Sequence, residues 1–173
     1  VGPDGRLYVG DGGWQFSGNI WALEDADGDG VAERREVFLQ DIIMPLGLAF
    51  RGNDVYVTNR SSGGQGQVTL FRDTDADGQY ERIEDIVTGL SPGHGVGNIV
   101  LGPDDKLYIG QGSPGDVREG PTSFDATILR VNPDGSDLEV YASGFRNPYG
   151  FDFDGQGRLF AVSNGPSHRT QPH

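Results

Sequence analysis

The chain has 173 residues, 29 glycines, 10 prolines, no cysteine and a formal net charge of −13, enough for one domain with a sizeable core. The lack of cysteine excludes disulfides, thiolate metal sites and cysteine nucleophiles, and the acidity argues against nucleic acid or an anionic membrane surface as partner. No apolar run approaches the roughly 18 residues of a membrane helix, and no signal peptide is visible.

The chain opens at Val1 in the middle of a repeat, as a piece of a longer protein does. GPDGRLYVGDGG (2–13) returns as GPDDKLYIGQGS (102–113), with weaker copies RGNDVYVTNR (51–60) and DGQGRLFAVSNG (154–165). The aromatic anchors Tyr8, Tyr56, Tyr108 and Phe160 are spaced 48, 52 and 52 residues apart. A β pattern with a period of about 40–50 residues points to propeller blades.

In chain order, the first unit supplies the DGRLYVG strand, NIWALE (19–24) and REVFL (35–39). A whole blade follows: LGLAF (46–50), the 51–60 phrase, VTLFRD (68–73) and RIEDIV (82–87). The next comprises GNIVL (97–101), the 102–113 phrase, TILRVN (127–132) and LEVYA (138–142), and a fourth begins with YGFDF (149–153) and the 154–165 phrase. Apolar alternation in these runs suits strands. The expectation is an all-β fold, a β-propeller fragment of about three to three and a half four-stranded blades, with the domain at 1–166 and an irregular tail at 167–173. The competing reading is a helix over 31–44, as in a helix–loop–helix calcium hand. The glycine-rich SSGGQGQVTLFR (61–72) ahead of the second acidic loop opposes an entering helix.

Two acidic loops are near copies, DADGDGVAERRE (25–36) and DTDADGQYERIE (73–84), offset by 48. Residues 24–36 and 73–85 each hold six acids, so twelve of the chain's 26 lie in two short segments. Alternate aspartates on a tight turn converge on one point, and calcium takes about 6–8 oxygens. The candidate ligands are Asp25, Asp27, Asp29 and Glu33 in one loop, and Asp73, Asp75, Asp77 and Glu81 in the other. A solvated acidic hairpin turn is the bland alternative. NPDGSD (132–137) is the plain turn of the third unit.

The chemistry-bearing residues lie elsewhere. His94 sits just before a first strand, Arg146 and Asn147 at the matching place one blade later, and Gly165 and Pro166 follow a second strand. Loops leading into first strands share one face of a propeller near its centre, so a histidine, an arginine and an asparagine there form a polar pocket. Alternatively, His94 is a surface residue and FRNP a turn whose Arg146 bridges neighbouring blades.

HGVGNIVLGPDDKLYIGQG, ASGFRNPYGFDFDGQGRLF and SNGP, in that order over residues 85–166, resemble the soluble glucose/sorbosone dehydrogenase family. That resemblance implies a six-bladed propeller using pyrroloquinoline quinone (PQQ) and calcium in a periplasmic or secreted setting. His94 matches the general base that takes the sugar hydroxyl proton as hydride leaves for the quinone. Arg146 and Asn147 match the pair on the quinone oxygens, and Gly165 and Pro166 the carbonyls that hold the cofactor's calcium. In the family an aspartate orients the base; here Gln111 stands nearest that position. The implied partners are a sugar or polyol substrate and an external electron acceptor, with no nucleic acid and no membrane span in this chain. The alternative left open is a non-catalytic, calcium-stabilised propeller that binds a partner or glycan. A propeller hydrolase with a channel metal ranks last, since Asn98 and Asn147 could contribute but no channel-facing glutamate is evident.

Overall fold

The computed structural model describes residues 1–12, 17–115 and 122–165. Thirteen strands follow in order: β1 (Leu7–Asp11), β2 (Ser17–Glu24), β3 (Arg34–Ile43), β4 (Gly47–Arg51), β5 (Asp54–Arg60), β6 (Gly66–Arg72), β7 (Glu81–Leu90), β8 (Val96–Leu101), β9 (Leu107–Gln111), β10 (Thr127–Val131), β11 (Glu139–Ser143), β12 (Asn147–Phe153) and β13 (Leu159–Asn164). Consecutive strands pair antiparallel into sheets β1-β2-β3, β4-β5-β6-β7, β8-β9-β10-β11 and β12-β13. The inner strands β4, β8 and β12 pack side by side, β4 on β8 and β8 on β12. These are blades of a β-propeller, with the strand grouping the repeat predicts. Among the described residues there is no helix, and the stretch 31–44 is a loop followed by β3.

The cores lie between blades, which explains the strand sequences. Val55 and Val57 of β5 pack with Ile20, Leu39 and Ile42 of the preceding blade. Tyr56, between them, turns to the other face and joins Val96, Ile99 and Leu107 of the following blade. A strand with both faces covered reads as a continuous apolar run rather than as alternation, and Asp54–Asn59 are all buried. Each fully buried aliphatic contributes roughly 1.5–3 kcal/mol. A third core joins Tyr108 and Ile128 to Phe151 of β12.

Polar ties fix the same contacts. Thr58 Oγ1 accepts from Gly47 N (2.8 Å) and donates to Gly97 O (2.6 Å). A Cβ on Gly47 would lie 2.9 Å from both Gly97 O and Ile99 N, so only glycine lets β4 come this near β8. Asn98 Nδ2 donates to Phe151 O at 2.8 Å across the next boundary. On the surface, Arg51 grips Asp105 with two bonds of 2.8 and 2.6 Å.

The outer strands β3 and β7 run to Ile43 and Leu90, beyond the sequence reading that ends them at 39 and 87. Register shifts at Gly18/Ile20 and Gly66/Val68 mark β-bulges, and Asp41 (φ 59) and Gly89 (φ 74) adopt left-handed backbone there. A bulge breaks alternation without ending the pairing, so the apolar pattern stops before the strand does.

Candidate active site

His94 rides on the loop between β7 and β8, and that loop is pinned through its backbone. Ser91 O accepts from Gln111 Nε2 (3.2 Å). Pro92 O and Gly93 O both accept from Arg60 Nη2 (3.2 and 3.1 Å). His94 N donates to Ser113 O (3.0 Å), and Gly95 O accepts from Gly112 N (2.9 Å).

The imidazole is held from both sides. Nδ1 lies 2.8 Å from Ser113 O, and Nε2 lies 2.9 Å from Arg146 Nη2. A carbonyl only accepts and a guanidinium only donates, so Nδ1 carries the proton and Nε2 presents its lone pair. Ser113 also ties down the partner, because its N–H donates to Arg146 O at 2.8 Å. Asn147 opens β12, with its N–H on Ser163 Oγ at 3.3 Å. A Cβ on Gly112 would meet His94 Cβ at 2.5 Å and Asn147 Oδ1 at 3.0 Å. The structure therefore gathers His94, Arg146 and Asn147 around Gly112.

Gln111 makes no hydrogen bond to the His94 imidazole. It is 0 % exposed and gives its amide to Ser91 O and Gly112 O, while the carbonyl of Ser113 accepts the hydrogen bond from imidazole Nδ1. β9 ends at Gln111, whose side chain turns inward among buried residues, so the loop after it passes the ring with its backbone.

A cleft of about 1410 Å³ opens beside this cluster, lined by His94, Asn98, Asn147 and Arg60 as polar groups, with Phe151 among its apolar ones. Asp152 and Asp154 also reach its wall, and its far side is the face of β12–β13 where Tyr149, Phe160 and Val162 are exposed. Gly165 follows Asn164, which pairs with Asn147, so it stands at the same rim of that sheet. Pro166 and the tail 167–173 lie outside the described residues.

The two acidic loops lie at the outer hairpins β2–β3 and β6–β7. Carboxylate oxygens of Asp25, Asp27, Asp29 and Glu33 all come within 4.8 Å of one another, as do those of Asp73, Asp75 and Asp77. Glu81 stands against Thr74, accepting from its N–H (3.1 Å) and hydroxyl (2.9 Å). Glu33 makes the matching backbone bond, from Ala26 N at 2.8 Å. Asp25 accepts from Gly28 N and Gly30 N, and Asp73 from Asp77 N and Gly78 N, so the duplication extends to hydrogen bonding.

Two participants carry no signal in the sequence. Arg60 ends one of the weaker copies of the repeat and reaches a loop more than thirty residues on. Ser113 acts through its backbone carbonyl, which any residue type supplies.

Over 133 residues the chain is 28% identical to quinoprotein glucose dehydrogenase B of Acinetobacter calcoaceticus, spanning 57% of this chain and 27% of that protein. A crystal structure from Thermus thermophilus, assigned as an oxidoreductase (glucose dehydrogenase), superposes with a TM-score of 0.73 at 23% identity, over 96% of this chain and 56% of that one. A luciferin-regenerating enzyme superposes with a TM-score of 0.64 at 15% identity, over 94% and 52%. The chain thus spans about a quarter of the curated relative and about half of the two structural neighbours. The chain, matched over residues 1–173, belongs to the family described as Domain of unknown function (DUF7133).

Proposed function

We propose that this chain forms part of a glucose dehydrogenase-like quinoprotein that oxidises a hydroxyl of a sugar or polyol, with His94 as the general base. The observation that carries this reading is the ring of His94, which stands in the wall of a cleft with Nδ1 anchored on Ser113 O and Nε2 turned to Arg146. A base needs one ring nitrogen occupied so that the other keeps a lone pair for the proton; Ser113 O occupies Nδ1, and Nε2 keeps its lone pair, on which Arg146 donates. The similarity to quinoprotein glucose dehydrogenase B supports the same reading.

The donor set suits PQQ, a flat anionic group rich in carbonyl and carboxylate oxygens. Arg146 and Asn147 would donate to its quinone oxygens, the guanidinium complementing negative charge as it develops. Carbonyls of Gly165 and Pro166 would hold its calcium, as in the family this sequence resembles. When bound, this pair supplies a hydride acceptor polarised by a Lewis acid. His94 Nε2 then accepts the hydroxyl proton while Ser113 O keeps the ring from turning. For that lone pair to take the proton, Arg146 would turn its donor from Nε2 to an oxygen of the bound group. The reading carries with it an external electron acceptor and a periplasmic or secreted setting.

The acidic loops serve a different purpose in this account. Calcium held by Asp25, Asp27, Asp29 and Glu33, and by Asp73, Asp75 and Asp77 with Glu81 nearby, braces the outer hairpins away from the chemistry.

The test is reconstitution of the full-length protein with PQQ and calcium, followed by dye reduction across a panel of aldoses and polyols. Turnover with at least one of them is expected. A panel without any sugar-dependent reduction overturns the proposal.

A further inference from the structure

Arg60 is the last residue of β5, in the blade preceding the one His94 leads into. Its side chain crosses the boundary, and Nη2 donates to two consecutive carbonyls, Pro92 O and Gly93 O. Its Nε is buried with no hydrogen-bond partner. Bringing a guanidinium into an interface costs free energy unless it is paired, yet Arg60 makes no ion pair among the described residues, and the poles it meets are the two peptide groups just before His94. Space for it is reserved as well: Gly95 has φ +73, and a Cβ there would sit 3.2 Å from Arg60 Nη2.

We infer that Arg60 is a positioning residue for His94, acting through the loop backbone; the inference rests on the reading of His94 as the base. Arg60 holds the carbonyls of residues 92 and 93, and Gln111 holds that of Ser91. Between them they fix the register in which His94 N and Nδ1 both reach Ser113 O. Arg60 touches neither atom of the proton transfer. It sets where the ring stands, and a misplacement of about 1 Å costs up to about a hundredfold in rate. Lysine retains a cation with several donors on a flexible stem, so it can span the same two carbonyls, whereas methionine keeps the length and loses every donor.

The experiment compares wild type, Arg60→Met and Arg60→Lys in the full-length protein. One readout is the ¹⁵N imidazole spectrum of His94, assigned by its loss in His94→Gln. The other is the kcat and KM of the PQQ- and calcium-loaded enzyme with its best sugar. Wild type is expected to show the single tautomer protonated at Nδ1. Arg60→Met is expected to shift both ring nitrogens and to lower kcat by about 10- to 100-fold with KM little changed. Arg60→Lys is expected to restore the spectrum and most of kcat. If Arg60→Met fails to fold by circular dichroism, Arg60→Gln replaces it with the same expected shift, since one short amide cannot reach both carbonyls. A wild-type His94 spectrum in the Met or Gln variant overturns the inference. Absence of sugar oxidation in a protein whose spectrum behaves as expected counts instead against the reading of function.

Discussion

Arg146 donates to Nε2 of His94 at 2.9 Å, joining loops that lead into two successive blades. The residues are 52 apart, one repeat period, so the propeller stacks equivalent positions to build this contact. It engages the lone pair that a general base requires, and the guanidinium that covers it is the group suited to a ligand's oxygens. His94 and Arg146 therefore form one unit. Their spacing depends on the strip of backbone between them, Gly112–Ser113.

That strip is the most sensitive point of the site. Gly112→Ala would place a methyl 2.5 Å from His94 Cβ and 3.0 Å from Asn147 Oδ1. Overpacking of this kind costs about 1–3 kcal/mol. The variant is expected to fold with a lower melting temperature and to lose sugar oxidation far beyond what that destabilisation explains. Wild-type kcat in Gly112→Ala would show that the cluster is not the reacting site.

Calcium held in the two hairpin loops is expected to stabilise the protein without taking part in turnover, unlike the calcium proposed beside the cofactor. Ligand at a hundredfold excess over its Kd adds about 2.7 kcal/mol. Melting curves of the full-length protein should rise with calcium, and Asp27→Asn combined with Asp75→Asn should blunt that rise while kcat at saturating calcium holds. Identical calcium responses in wild type and double variant would remove the loops from the account.

High pH should unfold the protein through two of its repeat anchors. Burial first, then the charge of Asp54, pushes the Tyr56 hydroxyl up to about 12 from its ordinary 10.0. Burial first, then the bond to Asp4, does the same to Tyr8, also to about 12. The native state favours the neutral phenols. Their contribution is therefore complete below about pH 10, where the unfolded chain also holds these protons, and is lost as pH rises through about 12. For Tyr56, which is 1 % exposed, the loss is on the order of 2–3 kcal/mol. Denaturant midpoints between about pH 9 and 12 should fall, and the fall should be shallower in Tyr56→Phe. A flat profile over that range contradicts this.

Strand grouping was legible because the repeats mark it: Tyr8, Tyr56 and Tyr108 each fall on a second strand, and their hydroxyls all meet an aspartate of their own repeat, Asp4, Asp54 and Asp104. The ends of β3 and β7 were not, because bulges at Asp41 and Gly89 carry pairing past the end of apolar alternation. His94, Arg146 and Asn147 could be singled out because each is a distinctive side chain at an equivalent place in the repeat. The acceptor of the His94 proton could not. It is a peptide carbonyl, and residue type says nothing of where a carbonyl points. Gln111 has the right type of side chain near the right place, and only the fold shows it turned inward to Ser91 and Gly112.

The most direct test compares wild type with His94→Gln in the full-length protein loaded with PQQ and calcium. Glutamine keeps a polar side chain in the cleft and cannot act as the base. The account predicts that PQQ titrates both proteins alike by absorbance, while sugar-dependent dye reduction falls by about 10²–10⁴-fold in the variant. Equal turnover in the two proteins would contradict it.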